Sequence, residues 1–198
     1  MKIIFATQNQ GKIKEMKSIL SDLKVDVLSA GEAGIFDEVV EDGKTFKDNA
    51  LKKARFIAQK SGEWAVADDS GLCITALNGA PGVHSARWAG DRSDDSKLVM
   101  HTLEKMKEIP AGKRQAYFES AVALVSPEGK EWTYSGQVHG SISLEPRGTA
   151  LPKLPYDVIF IPQGYEKTFA EMTNEEKNSI SHRGLAFEKL KEQIRKVI

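Results

Sequence analysis

Residues 2–20 read KIIFATQNQGKIKEMKSIL. Lys2 to Ala6 is an apolar run of strand length, and from Gly11 to Leu20 the residues Ile13, Met16, Lys17 and Leu20 recur at helical spacing. The stretch therefore predicts a strand, a polar turn and a helix, the opening unit of an α/β fold. The turn Thr7-Gln8-Asn9-Gln10-Gly11-Lys12 lies at the carboxyl end of the strand and the amino end of the helix. Backbone N–H groups and the helix dipole favour an anion at such a place. Lys12 adds a point charge. The spacing of a Walker loop is absent, and Ile13 follows the lysine where that loop has Ser or Thr.

Outward from this unit the alternation continues. Val25 to Leu28 reads as a second strand, and Ser29 to Lys44 is Gly-rich and acidic. Thr45-Phe46-Lys47-Asp48 resembles a capping box for a helix running to about Lys60, and Ala65-Val66-Ala67 forms a short strand. That strand is expected to stop at Asp68-Asp69, with Ser70-Gly71 making a sharp turn. Further on, Leu72 to Leu77 is strand-like, Asn78 to Asp91 is a Gly-rich loop, and Ser93 to Lys107 is an amphipathic helix marked by Leu98, Leu103 and Met106. Arg114 to Val125 and Glu131 to Ile142 read as strands joined by a hairpin turn at Pro127 to Lys130. Asp157 to Ile161 is expected as a strand, Thr173 to Glu176 as a second capping box, and Arg183 to Val197 as a closing helix. The fold expectation is an elongated, two-lobed α/β domain over 1–198: a mixed sheet flanked by helices, with a central cleft between the lobes and a β-rich second lobe.

Composition narrows the function. The 28 Lys and Arg balance 28 Asp and Glu, so no global positive field draws in a nucleic-acid polymer. The single Cys73 cannot form an internal disulfide, sits in an apolar run as a core residue, and fits a reducing cytoplasm. No stretch approaches the roughly 18 apolar residues of a spanning helix, and the short run after Met1-Lys2 is too brief for a signal-peptide core. A soluble cytoplasmic protein with no membrane partner is the expectation.

Three groups of side chains carry chemistry. The Asp68-Asp69 pair presents oxygen ligands of the kind magnesium takes, and Glu38, Glu41 and Asp42 offer a further carboxylate across a cleft. No His-x-x-x-His or Cys pair suggests zinc. Lys177 and Ser181-His182-Arg183 cluster near the start of the last helix, where Arg183 offers a planar fork and His182 a donor or acceptor. With the anion turn, these outline one nucleotide-sized site. The loop from Asn78 to Gly90 carries Val83, Trp88 and Ala89, which are expected to be exposed in a monomer and to mark a contact surface.

Four stretches, TQNQGKIKE (7–15), VADDSGL (66–72), NGAPGVHSARWAG (78–90) and EEKNSISHRGLAF (175–187), resemble the inosine and xanthosine triphosphate pyrophosphatases, the Ham1-like house-cleaning enzymes. The likeness runs nearly end to end. It implies a magnesium-dependent, homodimeric, cytoplasmic enzyme that cleaves ITP, dITP and XTP between the α and β phosphates, releasing monophosphate and pyrophosphate. It also implies that Thr7 to Lys12 bind the triphosphate, Glu41 and Asp69 hold Mg²⁺, and Asp69 acts on the attacking water. Lys53, within NALKKAR (49–55), would face the phosphates beside Lys12. Ser70 would lie beside the nucleotide, and Lys177, His182 and Arg183 around the base. One segment departs from the family. Where R-G-T-G-G-F-G-Y-D-P is expected, residues 147–158 read RGTALPKLPYDV, so the base-stacking Phe is missing and Leu154, Pro155, Tyr156 and Asp157 stand in its place beside the base. A nucleotide-binding protein with lost turnover or altered base choice is the alternative this departure motivates.

Overall fold

The computed structural model describes residues 1–90, 94–149 and 152–197. The strand at Lys2–Phe5 (β1) leads through the polar turn into the helix Gln10–Ile19 (α1), then to Asp26–Ser29 (β2) and Phe46–Ser61 (α2). Next come Trp64–Ile74 (β3), Asp95–Lys105 (α3), Gln115–Val125 (β4), Glu131–Ile142 (β5), Phe160–Pro162 (β6), Asn174–Ile180 (α4) and His182–Val197 (α5). The strands form one sheet in the order β2-β1-β3-β4-β5-β6. β1 lies parallel to both β2 and β3, and the remaining pairs are antiparallel. The mixed, elongated sheet with flanking helices matches the expectation.

Two lobes share that sheet, because β3, β4 and β5 are 11 to 12 residues long, roughly 36–41 Å at a strand's rise per residue. In one half, α1 and α5 cover one face over Phe5, Val66, Val122 and Leu124. There α2 covers the other face, its Ala50, Ala54 and Ala58 packing on Ala65, Ala67 and Ala123. Small residues on both sides let the helix approach the strands closely. In the other half, Leu72, Ile74 and Phe118 gather Leu98 and Val99 of α3 with Phe160 and Phe169.

β3 differs most from expectation. Asp68 to Gly71 make no turn; they lie inside one continuous strand, paired with β4 from Asp68 opposite Val122 to Gly71 opposite Glu119. Two adjacent carboxylates survive there because side chains alternate across a strand. Asp68 follows Val66 onto the α1 and α5 face, and Asp69 follows Ala67 onto the α2 face. Gly71 is required for a different reason than a turn: a Cβ on it would stand 2.4 Å from the carbonyl oxygen of Gly82.

Smaller differences follow the same logic. The strand-like run after Leu72 ends at Ile74 and tightens into a 3-10 turn, Thr75–Leu77. Pro155 to Val158 form another 3-10 turn, so Asp157 precedes β6 instead of belonging to it, held there by Lys177 at 2.6 Å. Val83, Trp88 and Ala89 are partly buried against their own molecule, and Trp88 meets His101 edge-on at 5.4 Å; the expected exposed apolar loop is not formed. The second capping box is present in both directions between Thr173 and Glu176. The expected loop end at Asp91, the helix start at Ser93, Ala150 and Leu151 of the departing loop, and Ile198 lie outside the described residues; α3 is capped by Asp94. No helix among the described residues is long and apolar enough to cross a membrane.

Candidate active site

β1 stops at Phe5, opposite Val66, while β3 continues to Ile74. The edge left by β1 opens a cleft of about 650 Å³ lined by residues from both halves of the molecule. Asp68 and Asp69 flank that opening from opposite faces of β3, and each draws a lysine into it. Lys12 of α1 lies 2.9 Å from Asp68, and Lys53 of α2 lies 3.7 Å from Asp69 and 2.8 Å from Glu41.

The polar turn is organised by Asn9, which caps α1. Its Oδ1 accepts from the N–H groups of Gly11 and Lys12 at 3.0 and 3.3 Å, and its own N–H donates to Thr7 Oγ1. Two N–H groups expected to await an anion are thus held by a side chain. Thr7, Gln8, Asn9 and Lys12 line the cleft; Gln10 does not and is exposed, while Gly11 is buried beneath Pro152 and Leu154.

On the α2 face, Asn49 donates to Asp69 Oδ2 at 2.9 Å and accepts from Gly43 N at 2.8 Å, tying the acidic loop to the carboxylate. Burial pushes the Asp69 carboxyl up from its ordinary value against the pull of Lys53 and Lys12. Burial also opposes the charge on Lys53, but Asp69 and Glu41 outweigh it and raise its pKa. Glu41 is held low because Lys53 overcomes its partial burial.

On the opposite face the charges interlock. Burial disfavours Asp68, yet Lys12 and Arg183 keep its carboxyl far below the carboxylate range. Arg183 reaches Asp68 Oδ2 at 3.2 Å, Ser70 Oγ at 3.0 Å and the carboxylate of Glu15. Lys177 bridges Glu15 and Asp157 at 2.6 Å each. Lys177 stands behind the cleft wall; Ser70, Leu154, Pro155, Tyr156, Asp157, His182 and Arg183 line it. The Tyr156 hydroxyl is anchored on the carbonyl of Ser85 at 2.7 Å. His182 stacks on Phe118, centroids 4.6 Å apart and planes within 10°. Burial, with Arg183 and Lys177 nearby, lowers the pKa of His182 far enough to keep the ring neutral, and its buried Nδ1 has no partner among the described residues. A Cβ at Gly136 of β5 would stand 2.2 Å from the carbonyl oxygen of His182, so this glycine lets the start of α5 settle on the sheet.

Glu15, Asn49 and Phe118 escape a sequence reading. Glu15 has the spacing of a solvated helix position one turn after Gly11, Asn49 sits in NALKKAR beside Lys53 without a role of its own, and Phe118 carries no signal outside the fold that brings it in.

Magnesium fits this donor set. Glu15, Glu41, Asp68, Asp69 and Asp157 face Lys12, Lys53, Lys177 and Arg183, leaving one negative charge in excess. One oxygen of Asp68 is buried without a partner among the described residues. Glu41 and Asp69 are hard oxygen ligands converging on one cation, Lys53. No group of three or more acidic, His or Cys side chains among the described residues is arranged to hold a metal alone. Mg²⁺ commonly uses one or two carboxylates and completes its shell with water and substrate phosphate.

Comparison with known proteins agrees with this architecture. The profile of the Ham1 family matches residues 3–193. A protein of Leuconostoc mesenteroides named dITP/XTP pyrophosphatase is 45% identical over 193 residues, covering 96% of this chain and 94% of that one. One of the same name from Bacillus subtilis is 44% identical, covering 94% and 93%. The structure of a HAM1 protein from Coxiella burnetii superposes with a TM-score of 0.87 at 37% identity, covering 99% of both chains. The chain belongs to the Ham1 family.

Proposed function

We propose that this protein is a nucleoside triphosphate pyrophosphatase that hydrolyses the non-canonical purine nucleotides ITP, dITP and XTP to monophosphate and pyrophosphate. The carrying observation is the meeting of Glu41, Lys53 and Asp69 on one side of the cleft with Lys12 on the other. Phosphoryl transfer passes through a loose transition state, so catalysis is mostly positioning and charge stabilisation. Lys12 and Lys53 supply positive charge to the phosphate chain, and Thr7 to Gly11 shape the turn beside it. Mg²⁺ held by Glu41 and Asp69 would neutralise phosphate charge when bound. Asp69, its basicity raised by burial, takes the proton of the attacking water, and Asn49 fixes the carboxylate's orientation.

The base lies toward Phe118, His182, Arg183 and Ser70, with Lys177 and Asp157 bracing Arg183 through Glu15. The neutral His182 ring with a free Nδ1 is suited to read a base edge. Leu154, Pro155 and Tyr156 provide an apolar wall without the expected stacking ring. A binding-only protein has no observation in its favour, since each proposed catalytic side chain is present. The enzyme is read as a single-domain, cytoplasmic homodimer with no nucleic-acid or membrane partner; the free, buried Cys73 and the balanced charge support that setting. Pyrophosphate release from dITP, XTP, ITP and ATP with Mg²⁺ tests the assignment. Release from the first three in preference to ATP is expected, and no release from any of them refutes it.

A further inference from the structure

A strap crosses the mouth of the cleft. Pro152 to Pro155 lie on the first turn of α1, where a Cβ on Gly11 would stand 2.9 Å from the Pro152 carbonyl oxygen and 3.1 Å from the Leu154 side chain. Two hydrogen bonds fasten the strap, both through the main chain of Lys153. Asn9 Nδ2 donates to the Lys153 carbonyl at 3.2 Å, and Lys153 N donates to Asp95 Oδ2 at 2.7 Å. Asn9 caps α1, which packs in one half of the molecule, and Asp95 begins α3, which packs in the other. Asn9, Asp95, Lys153 and Leu154 all line the cleft.

Asp95 is not the cap of the helix it begins. That cap is Asp94, whose Oδ1 accepts from Ser96 N and Lys97 N at 3.0 and 3.2 Å. The neighbouring carboxylate is thus left to hold the strap. Lys153 sits at φ 63°, in the left-handed region that glycine enters freely and a side chain disfavours. Such a backbone persists where its surroundings hold it, and here Asp95 on one side and the Asn9 amide on the other do so. The distance from the phosphate turn to the apolar wall of Leu154, Pro155 and Tyr156 is therefore set through Lys153. Tyr156 has its own anchor on the Ser85 carbonyl, so the front of the wall, Leu154, is the part that depends on the strap.

We propose that Asp95 is a positioning residue for nucleotide recognition: by holding Lys153 it sets the span between the apolar wall and the phosphate turn, and so governs affinity for ligands that reach both. The proposal deepens the pyrophosphatase reading and rests on it for the identity of the ligand. Its test uses the two products, which are not turned over, so the two readings fail separately. Deoxyinosine monophosphate carries both a base and a phosphate, whereas pyrophosphate can occupy the turn alone. Binding of each to the full chain with Mg²⁺ is measured by calorimetry for the parent, Asp95→Ala and Asp95→Asn, each shown by circular dichroism to be folded at the working temperature. Asp95→Ala should weaken the monophosphate about 10-fold, the low end for a lost charge-assisted hydrogen bond, and leave pyrophosphate unchanged. Asp95→Asn keeps an acceptor for Lys153 N and should fall between Asp95→Ala and the parent. Amide hydrogen exchange should show Lys153 N–H protected in the parent and released in Asp95→Ala. The proposal is overturned if the parent does not bind the monophosphate, if Asp95→Ala binds it as the parent does, if pyrophosphate weakens equally, or if Lys153 N–H exchanges alike in both. A parent that binds the monophosphate but releases no pyrophosphate from dITP would instead sink the enzymatic assignment and leave these measurements standing.

Discussion

At the scale of single residues, the two aspartates of β3 share a strand and divide the work. Asp69, raised by burial, is the proposed base. It works only when ionised, so the rate should fall once the pH is low enough to protonate it. Asp69→Asn should remove most turnover while leaving the chain folded; a variant retaining near-parent pyrophosphate release would end its assignment. Asp68 has the opposite character, its folded-state pKa depressed by Lys12 and Arg183 against the cost of burial. Its pairs stabilise the fold fully above the unfolded value of about 3.9, and that contribution is lost as pH falls from there toward the depressed folded value. Removing it with Asp68→Ala should leave buried Lys12 and Arg183 short of a partner and cost about 3–5 kcal/mol, the range for a broken buried pair. Denaturant unfolding at pH 7 checks this, and a cost below 1 kcal/mol would show that the network relaxes around the gap.

At the scale of elements, sequence patterning located most strands and helices because their apolar periodicity and caps are local. Thr45 and Thr173 announce their helices by hydrogen bonds three residues away. The Asp68 to Gly71 stretch was illegible for the opposite reason: its strand state depends on cations from α1, α2 and α5 that compensate the carboxylates. Lys12, Lys53 and Asp69 were readable from their motifs; Glu15 and Asn49 sit inside the same motifs but their roles were not, because only the fold brings Glu15 to Arg183 and Lys177 and Asn49 to Asp69, and Phe118 lies in no motif. The segment from Pro152 to Pro155 belongs to this scale too. Asn9 Nδ2 donates to the Lys153 carbonyl at 3.2 Å, and Lys153 N donates to Asp95 at 2.7 Å, so the segment is tied to the starts of both α1 and α3. It lacks the Phe that the resemblance implies would stack on the base, and stacking on an aromatic ring is worth roughly 1–3 kcal/mol per base. The Michaelis constant for ITP should therefore be raised and discrimination against ATP blunted. Replacing residues 150–155 with Gly-Gly-Phe-Gly should lower that constant and sharpen the preference; an unchanged preference would mean that Phe118 and His182 already do the stacking.

At the scale of the whole molecule, the long strands β3 to β5 run through both lobes, and the cleft lies where the short β1 gives out. An element shared by two lobes couples their stability, so one unfolding transition is expected. Met100 and Leu144, 61% and 68% exposed, lie on one groove of the distal half, an apolar surface a second copy would cover. Light scattering at micromolar concentration should report a dimer, and a monomer would contradict the assembly proposed here. The central claim is that this cleft hydrolyses deaminated purine triphosphates between the α and β phosphates. Product analysis of dITP and XTP turnover by the purified chain with Mg²⁺ tests it most directly. The account predicts monophosphate and pyrophosphate in equal amounts, suppressed by chelator; diphosphate with inorganic phosphate, or no hydrolysis at all, would contradict it.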